Sequence, residues 1–119
     1  MTQQPAPTIT ENDINRIIRR DYPGDQYSVA MEVLNAYGKE EYHREQNRVR
    51  MAALKLSAGD IVKLKEYTNI AMGDYRDVLA FAEYPNYMKE KDIQSSSSEH
   101  RKAIIDKDWK QYCDWLNSR

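Results

Sequence analysis

The sequence predicts an all-α single domain, a bundle of five or six helices with a central long or kinked helix. Three observations carry that expectation. Apolar residues recur at steps of three and four along most of the chain, the repeat of one helix face. No stretch alternates with period two for long, and no Asn-Gly or Asp-Gly hairpin turn is present. All four glycines (24, 38, 59, 73) and all four prolines (5, 7, 23, 85) stand at ends or joints of the helical patterns. At 119 residues the chain is long enough for one core of ordinary size.

Residues 1–8 hold two prolines, two glutamines and no large apolar side chain beyond Met1, and read as a flexible tail. Thr10 then caps a first helix, with Asp13 reaching back as its box partner and Ile9 and Ile14 spaced as a hydrophobic staple. Its face continues through Ile17, Ile18 and Tyr22 until Pro23-Gly24 turns the chain. Asp25 is placed to cap a second helix with the face Tyr27, Ala30, Val33, Leu34 and Tyr37, ended by Gly38 in the left-handed region. A third helix over 40–56 carries Tyr42, Val49, Ala52, Ala53 and Leu56, and the small pair at 52 and 53 allows a close crossing.

The longest pattern runs from Ser57 to Pro85. Its stripe is Ile61, Leu64, Thr68, Ala71, Met72, Tyr75, Val78, Leu79 and Ala82, with a second partial stripe at Tyr67, Ile70 and Phe81. Ser57 with Asp60 repeats the capping-box spacing, and Leu56 with Ile61 repeats the staple. A bend is expected at Gly73-Asp74, where Asp74 can cap a new helix with Asp77 at its third position. Pro85 ends or kinks the helix near Glu83. The bundle core therefore spans 9–92, and a serine-rich linker over 93–98 leads to an amphipathic helix over 99–119, best boxed by Ser96 and Glu99. That last helix shows Ile105, Trp109, Tyr112, Cys113 and Leu116 on one face.

The string from Arg48 to Asp60, RVRMAALKLSAGD, and that from Asp74 to Pro85, DYRDVLAFAEYP, resemble a group of short uncharacterised bacterial proteins. The resemblance covers roughly the middle third of the chain. It implies a bacterial, all-helical protein and transfers no function and no site.

Composition narrows the function classes. A formal charge of −1, from 18 basic and 19 acidic residues, exerts no global pull on nucleic acid or anionic membrane. No apolar run approaches the roughly 20 residues that span a bilayer. The first residues lack the basic and apolar regions of a secretory signal, and the one cysteine, Cys113, cannot form an internal disulfide. Cytoplasmic is the expected setting. Gly-rich phosphate loops, H-E-x-x-H, paired cysteines and G-x-S-x-G are all missing from the sequence, so no catalytic residue and no cofactor is assigned.

The remaining candidates are weaker patterns. Glu40-x-x-His43 has a metal-pair spacing but lacks the second Glu-x-x-His of di-iron bundles, and no metal is assigned. Asp74 and Asp77, with Arg76 between them, are a candidate acid or ligand site if they lie buried, and an ordinary helix cap if they do not. Arg44, Arg48 and Lys55 align on one side of the third helix as candidate phosphate contacts. Glu40 and Glu45 interleave with them, which favours a solvated, ion-paired face over nucleic acid. Cys113 among Trp109, Tyr112 and Leu116 reads as a structural thiol.

Nine tyrosines against one phenylalanine are the compositional oddity. Tyr84 and Tyr87 flank Pro85 and either form a recognition surface or tuck a loop onto the bundle. Ile105, Trp109, Tyr112 and Leu116 are candidate anchors for a protein partner or a second copy, should the last helix exchange rather than fold back. The preferred expectation is a non-catalytic interaction or assembly module. A small-molecule binder or enzyme built on Asp74 and Asp77 comes second, and phosphate or nucleic-acid binding third.

Overall fold

The computed structural model describes residues 8–39, 45–90 and 95–118. The expected flexible tail, the start of the third helix with Glu40, Tyr42, His43 and Arg44, and the first part of the linker lie outside the described residues. Among the described residues there are six helices and no strand. They are α1 (Glu11–Asp21), α2 (Gln26–Asn35), α3 (Gln46–Ser57), α4 (Ile61–Glu83), α5 (Pro85–Lys89) and α6 (Ser98–Asn117). The chain is an all-α bundle.

The start of α1 follows the local code. Thr10 is extended, its Oγ1 accepts from the Asp13 N–H at 3.2 Å, and Asp13 Oδ2 accepts from the Thr10 N–H at 3.0 Å. Ile9 and Ile14 lie together in the core below it. At α2 the expectation fails: Asp25 has helical backbone and makes no cap bond, because the Tyr27 N–H is taken by the Gly24 carbonyl at 3.2 Å. Gly38 adopts φ +111°, which favours glycine, and a Cβ there would meet the Arg50 Nη2 at 2.6 Å and push the end of that side chain aside. The Arg50 Nε donates to the Tyr37 carbonyl at 3.0 Å and fixes this turn to α3.

Ser57 is not the cap of α4. It is the last residue of α3, fully buried, its Oγ donating to the Leu54 carbonyl at 3.0 Å and lying 2.6 Å from the Tyr22 hydroxyl. Ala58 and Gly59 then both turn left-handed, and Asp60 caps α4 through the Val62 and Lys63 N–H groups at 2.9 and 3.2 Å. Leu56 and Ile61 pack against different core clusters and form no staple.

α4 breaks where Gly73-Asp74 announces it. Asp74 leaves helical geometry (φ −147°, ψ 99°), and its Oδ1 accepts from the Arg76 N–H at 3.1 Å, restarting the helix. Pro85 ends α4 at Glu83 and occupies the first position of α5, where its missing N–H costs nothing. Ser97 rather than Ser96 caps α6, accepting from the His100 N–H at 3.1 Å, while the Ser96 carbonyl serves the Arg101 side chain at 2.7 Å.

Two apolar clusters fill the bundle. One joins α1, α2, the Met51/Ala53/Leu54 side of α3, Leu64 of α4, and Trp109, Tyr112 and Leu116 of α6. The other joins Tyr37, Val49 and Ala52 to Ala71, Val78, Leu79 and Ala82 of α4. α3 feeds both, which explains its adjacent buried alanines. The last helix is thus no free arm in this structure. Fully burying a large apolar side chain contributes about 1.5–3 kcal/mol, so Trp109, Tyr112 and Leu116 together contribute on the scale of a whole domain's stability of about 5–15 kcal/mol. Arg20 secures the far end, donating to the carbonyls of Trp115 and Ser118 at 2.8 and 2.9 Å with its guanidinium 5.0 Å from the Trp115 ring centroid.

Candidate functional site

The end of α4, the short α5 and the middle of α6 meet at a junction with two layers. Its surface is an apolar groove of about 330 Å³ lined by Ala80, Tyr84, Tyr87, Met88 and Ile105. Met88 is 50% exposed, and Phe81, next to Ala80 on α4, is 48% exposed. The groove exists because Pro85 halts α4 and swings α5 across toward α6, leaving a step between the helices.

Beneath the groove lie two carboxylates that sequence reasoning did not single out. Glu83 is 1% exposed and receives the Arg48 guanidinium in a two-pronged pair, Nε to Oε2 at 2.7 Å and Nη2 to Oε1 at 2.6 Å. That pairing holds the Arg48 guanidinium above its ordinary pKa. Asp108 is fully buried. Its Oδ1 accepts from the Asn86 backbone N–H at 3.0 Å and from Asn86 Nδ2 at 2.8 Å, and its Oδ2 accepts from the Tyr87 N–H at 3.0 Å. Asp108 of α6 therefore caps α5 from another helix. Gln111 Nε2 closes the junction, donating to the carbonyls of Asp108 at 2.8 Å and Ala82 at 3.3 Å. Burial pushes the Lys55 amine below its ordinary pKa, partly offset by the charge of Asp108.

An aromatic ladder runs under the groove: Tyr84 meets Trp109 edge-on at 5.1 Å, Trp109 meets Tyr112 at 5.8 Å, and Tyr112 tilts against Trp115 at 6.0 Å. Burial, reinforced by the Glu83 charge, pushes the Tyr112 and Tyr84 hydroxyls up from the usual phenol range. The Tyr112 hydroxyl has no hydrogen-bond partner among the described residues.

The candidate partner residues divide. Tyr84, Tyr87 and Ile105 line the groove, whereas Trp109, Tyr112 and Leu116 are spent in the chain's own core. The candidate acids lie elsewhere. Asp77 is exposed, and Asp74 is a half-exposed cap whose Oδ1 and Oδ2 receive the Arg76 Nε and Nη2 at 3.0 and 3.1 Å. That contact holds the Asp74 carboxyl below its usual range, opposite to the direction an acid raised by burial needs. A cavity of about 290 Å³ does stand at this kink, between Tyr37, Met72 and Arg76. Of the candidate phosphate contacts, Arg48 is taken by Glu83, Lys55 is half-buried, and Arg44 lies outside the described residues.

The missed carboxylates had a visible signature. Asp108 falls three residues after Ile105 and four before Tyr112, and Glu83 falls four after Leu79, so each interrupts an apolar stripe. Among the described residues no three His, Cys, Asp or Glu side chains converge as a metal site would require, and no helix is long and apolar enough to cross a membrane.

No protein-family model, no curated protein and no solved structure matches this chain.

Proposed function

We propose that this protein is a non-catalytic interaction module that takes an apolar segment of a partner protein into the groove between α4, α5 and α6. The single observation behind this reading is the groove itself, apolar in its lining, with Met88 half open to water. Tyrosine and methionine are the residues enriched where proteins meet, and two tyrosines and a methionine form most of this lining. A small polar ligand would want convergent charged anchors; here Arg48, Glu83 and Asp108 are turned inward and engaged with the chain. The kink cavity supports the ligand-binding alternative less well, since Asp74 and Arg76 neutralise each other at its rim. A reducing, cytoplasmic setting is part of the proposal and rests on the single cysteine.

The test has two steps. Light scattering after size exclusion gives the solution mass of the full chain; a dimer that Ala80→Asp, in the groove lining, converts to a monomer makes the occupant a second copy. If the chain is monomeric, a photo-reactive residue at Met88 is compared in cells with one at Val29, an exposed position on α2. A crosslink to one protein at 88, absent at 29 and lost in Ala80→Asp, supports the proposal. A monomer whose two positions crosslink equally ends it.

A further inference from the structure

We infer that α5 is a hinged wall of the groove, latched shut by the buried Asp108 carboxylate. α5 contributes Tyr87 and Met88 to the lining and is preceded by Tyr84, its N-cap, so its position sets the width of the groove. Yet none of its side chains is fully buried. It is five residues long, and helices this short are unstable without tertiary contacts. Its polar attachments to α6 are the three hydrogen bonds to buried Asp108 and, at its C-cap, the exposed contact of Glu90 Oε1 with His100 Nε2 at 3.0 Å; Tyr84, its N-cap, adds the edge contact with Trp109.

Asp108 is equally dependent on α5. Among the described residues it has no ion-pair partner within 4.0 Å, and all three donors to its carboxylate come from Asn86 and Tyr87. A carboxylate at 0% exposure cannot give up three donors piecemeal, because each unmet acceptor in that setting is costly. The arrangement therefore has two states. In one, α5 is docked and Asp108 satisfied. In the other, α5 is displaced and Asp108 is served by entering water or by Lys55, whose amine already feels its charge. An occupant of the groove bears directly on Tyr87 and Met88 and so biases the two states. This last step rests on the docking proposal; the latch itself does not.

The experiment is residue-resolved hydrogen exchange on the full chain, which needs no partner and so separates failure of the latch from failure of the docking proposal. Asp108→Asn keeps one acceptor but turns an amide donor toward α5. Exchange of the Asn86, Tyr87 and Met88 amides should accelerate about tenfold or more, with Ile17 in α1 and Leu54 in α3 unchanged. The methyl signals of Met88 and Ile105 should shift as the groove widens. Asn86→Ala removes one of the three bonds, spares the carboxylate, and should produce a smaller acceleration confined to the same amides. Unchanged exchange in α5, or acceleration shared equally by α1 and α3, overturns the latch. If Asp108→Asn does not fold, Asn86→Ala decides alone: α5 amides exchanging as in the parent chain would sink the inference.

Discussion

Replacing Arg48 by Met tests the polar junction most directly. Glu83 is 1% exposed, and its two oxygens are met by the two prongs of one guanidinium. Removing the arginine leaves a carboxylate in a site built around a cation. Breaking a buried pair from one side costs about 3–5 kcal/mol. Arg48 is one-third exposed at its side chain, so water can reach the vacated space and the lower end applies, about 3 kcal/mol. For 119 residues at about 2.1 cal/mol/K each, that lowers Tm by about 12 °C. Removing both charges, as Arg48→Met with Glu83→Met, eliminates the stranded carboxylate and should recover most of the loss, since apolar replacements of buried pairs are often neutral. Urea unfolding followed by circular dichroism, completed as a double-mutant cycle, reads all four corners. A loss below about 1 kcal/mol for Arg48→Met, or a double variant as weak as the two single losses added, would refute the reasoning.

Four other outcomes follow from the same structure. Tyr112→Phe removes a buried hydroxyl without a partner among the described residues and should stabilise by about 1 kcal/mol, read by urea midpoint. Gly38→Ala places a Cβ against Arg50 at φ +111° and should cost about 1–3 kcal/mol in the same assay. A chain ending at Asp92 forfeits Trp109, Tyr112 and Leu116 from the larger cluster and should lose cooperative unfolding by circular dichroism. The alkaline limb of stability has a defined sign. Tyr22, Tyr84 and Tyr112 are raised in the folded state, so their contribution is full below pH 10 and declines as pH climbs through the folded values. Lys55, lowered by burial, works weakly the other way. Tyrosinate absorbance should show a fraction of the tyrosines ionising above the ordinary phenol range in the folded chain.

What could be read along the chain was whatever local chemistry decides. Thr10 and Asp13 need only each other, three residues apart, and their box forms as the spacing requires. Pro85 and the Gly73-Asp74 break act through backbone geometry within a few residues, and both stand where the sequence puts them. Ser57-x-x-Asp60 has the same spacing as Thr10-x-x-Asp13 and forms no box, because Tyr22, 35 residues away, lies against the serine hydroxyl. No local rule sees that competitor. The alternation of Ala52 and Ala53 between two clusters likewise depends on how α3 is flanked, which periodicity along one helix does not encode.

The junction beneath the groove shows the more general obstacle. Asp108 and Glu83 were each visible as a charge on an apolar stripe, but the residues that satisfy them are Asn86, Tyr87 and Arg48, on other helices. A buried charge advertises that a partner must exist; it does not say which of the 18 basic residues, or which free backbone N–H, will serve. Nature's two solutions here differ in consequence. Glu83 takes an arginine from α3, a twelve-residue helix buried on several sides, and so ties rigid elements together. Asp108 takes the N–H groups of a five-residue helix with no buried residue, and so ties the bundle to the element least able to stay in place alone. Substituting Arg48 should therefore weaken the whole fold, and substituting Asp108 should loosen α5 first. That contrast, measurable in one hydrogen-exchange experiment, separates a junction that only supports the bundle from one that also shapes its groove.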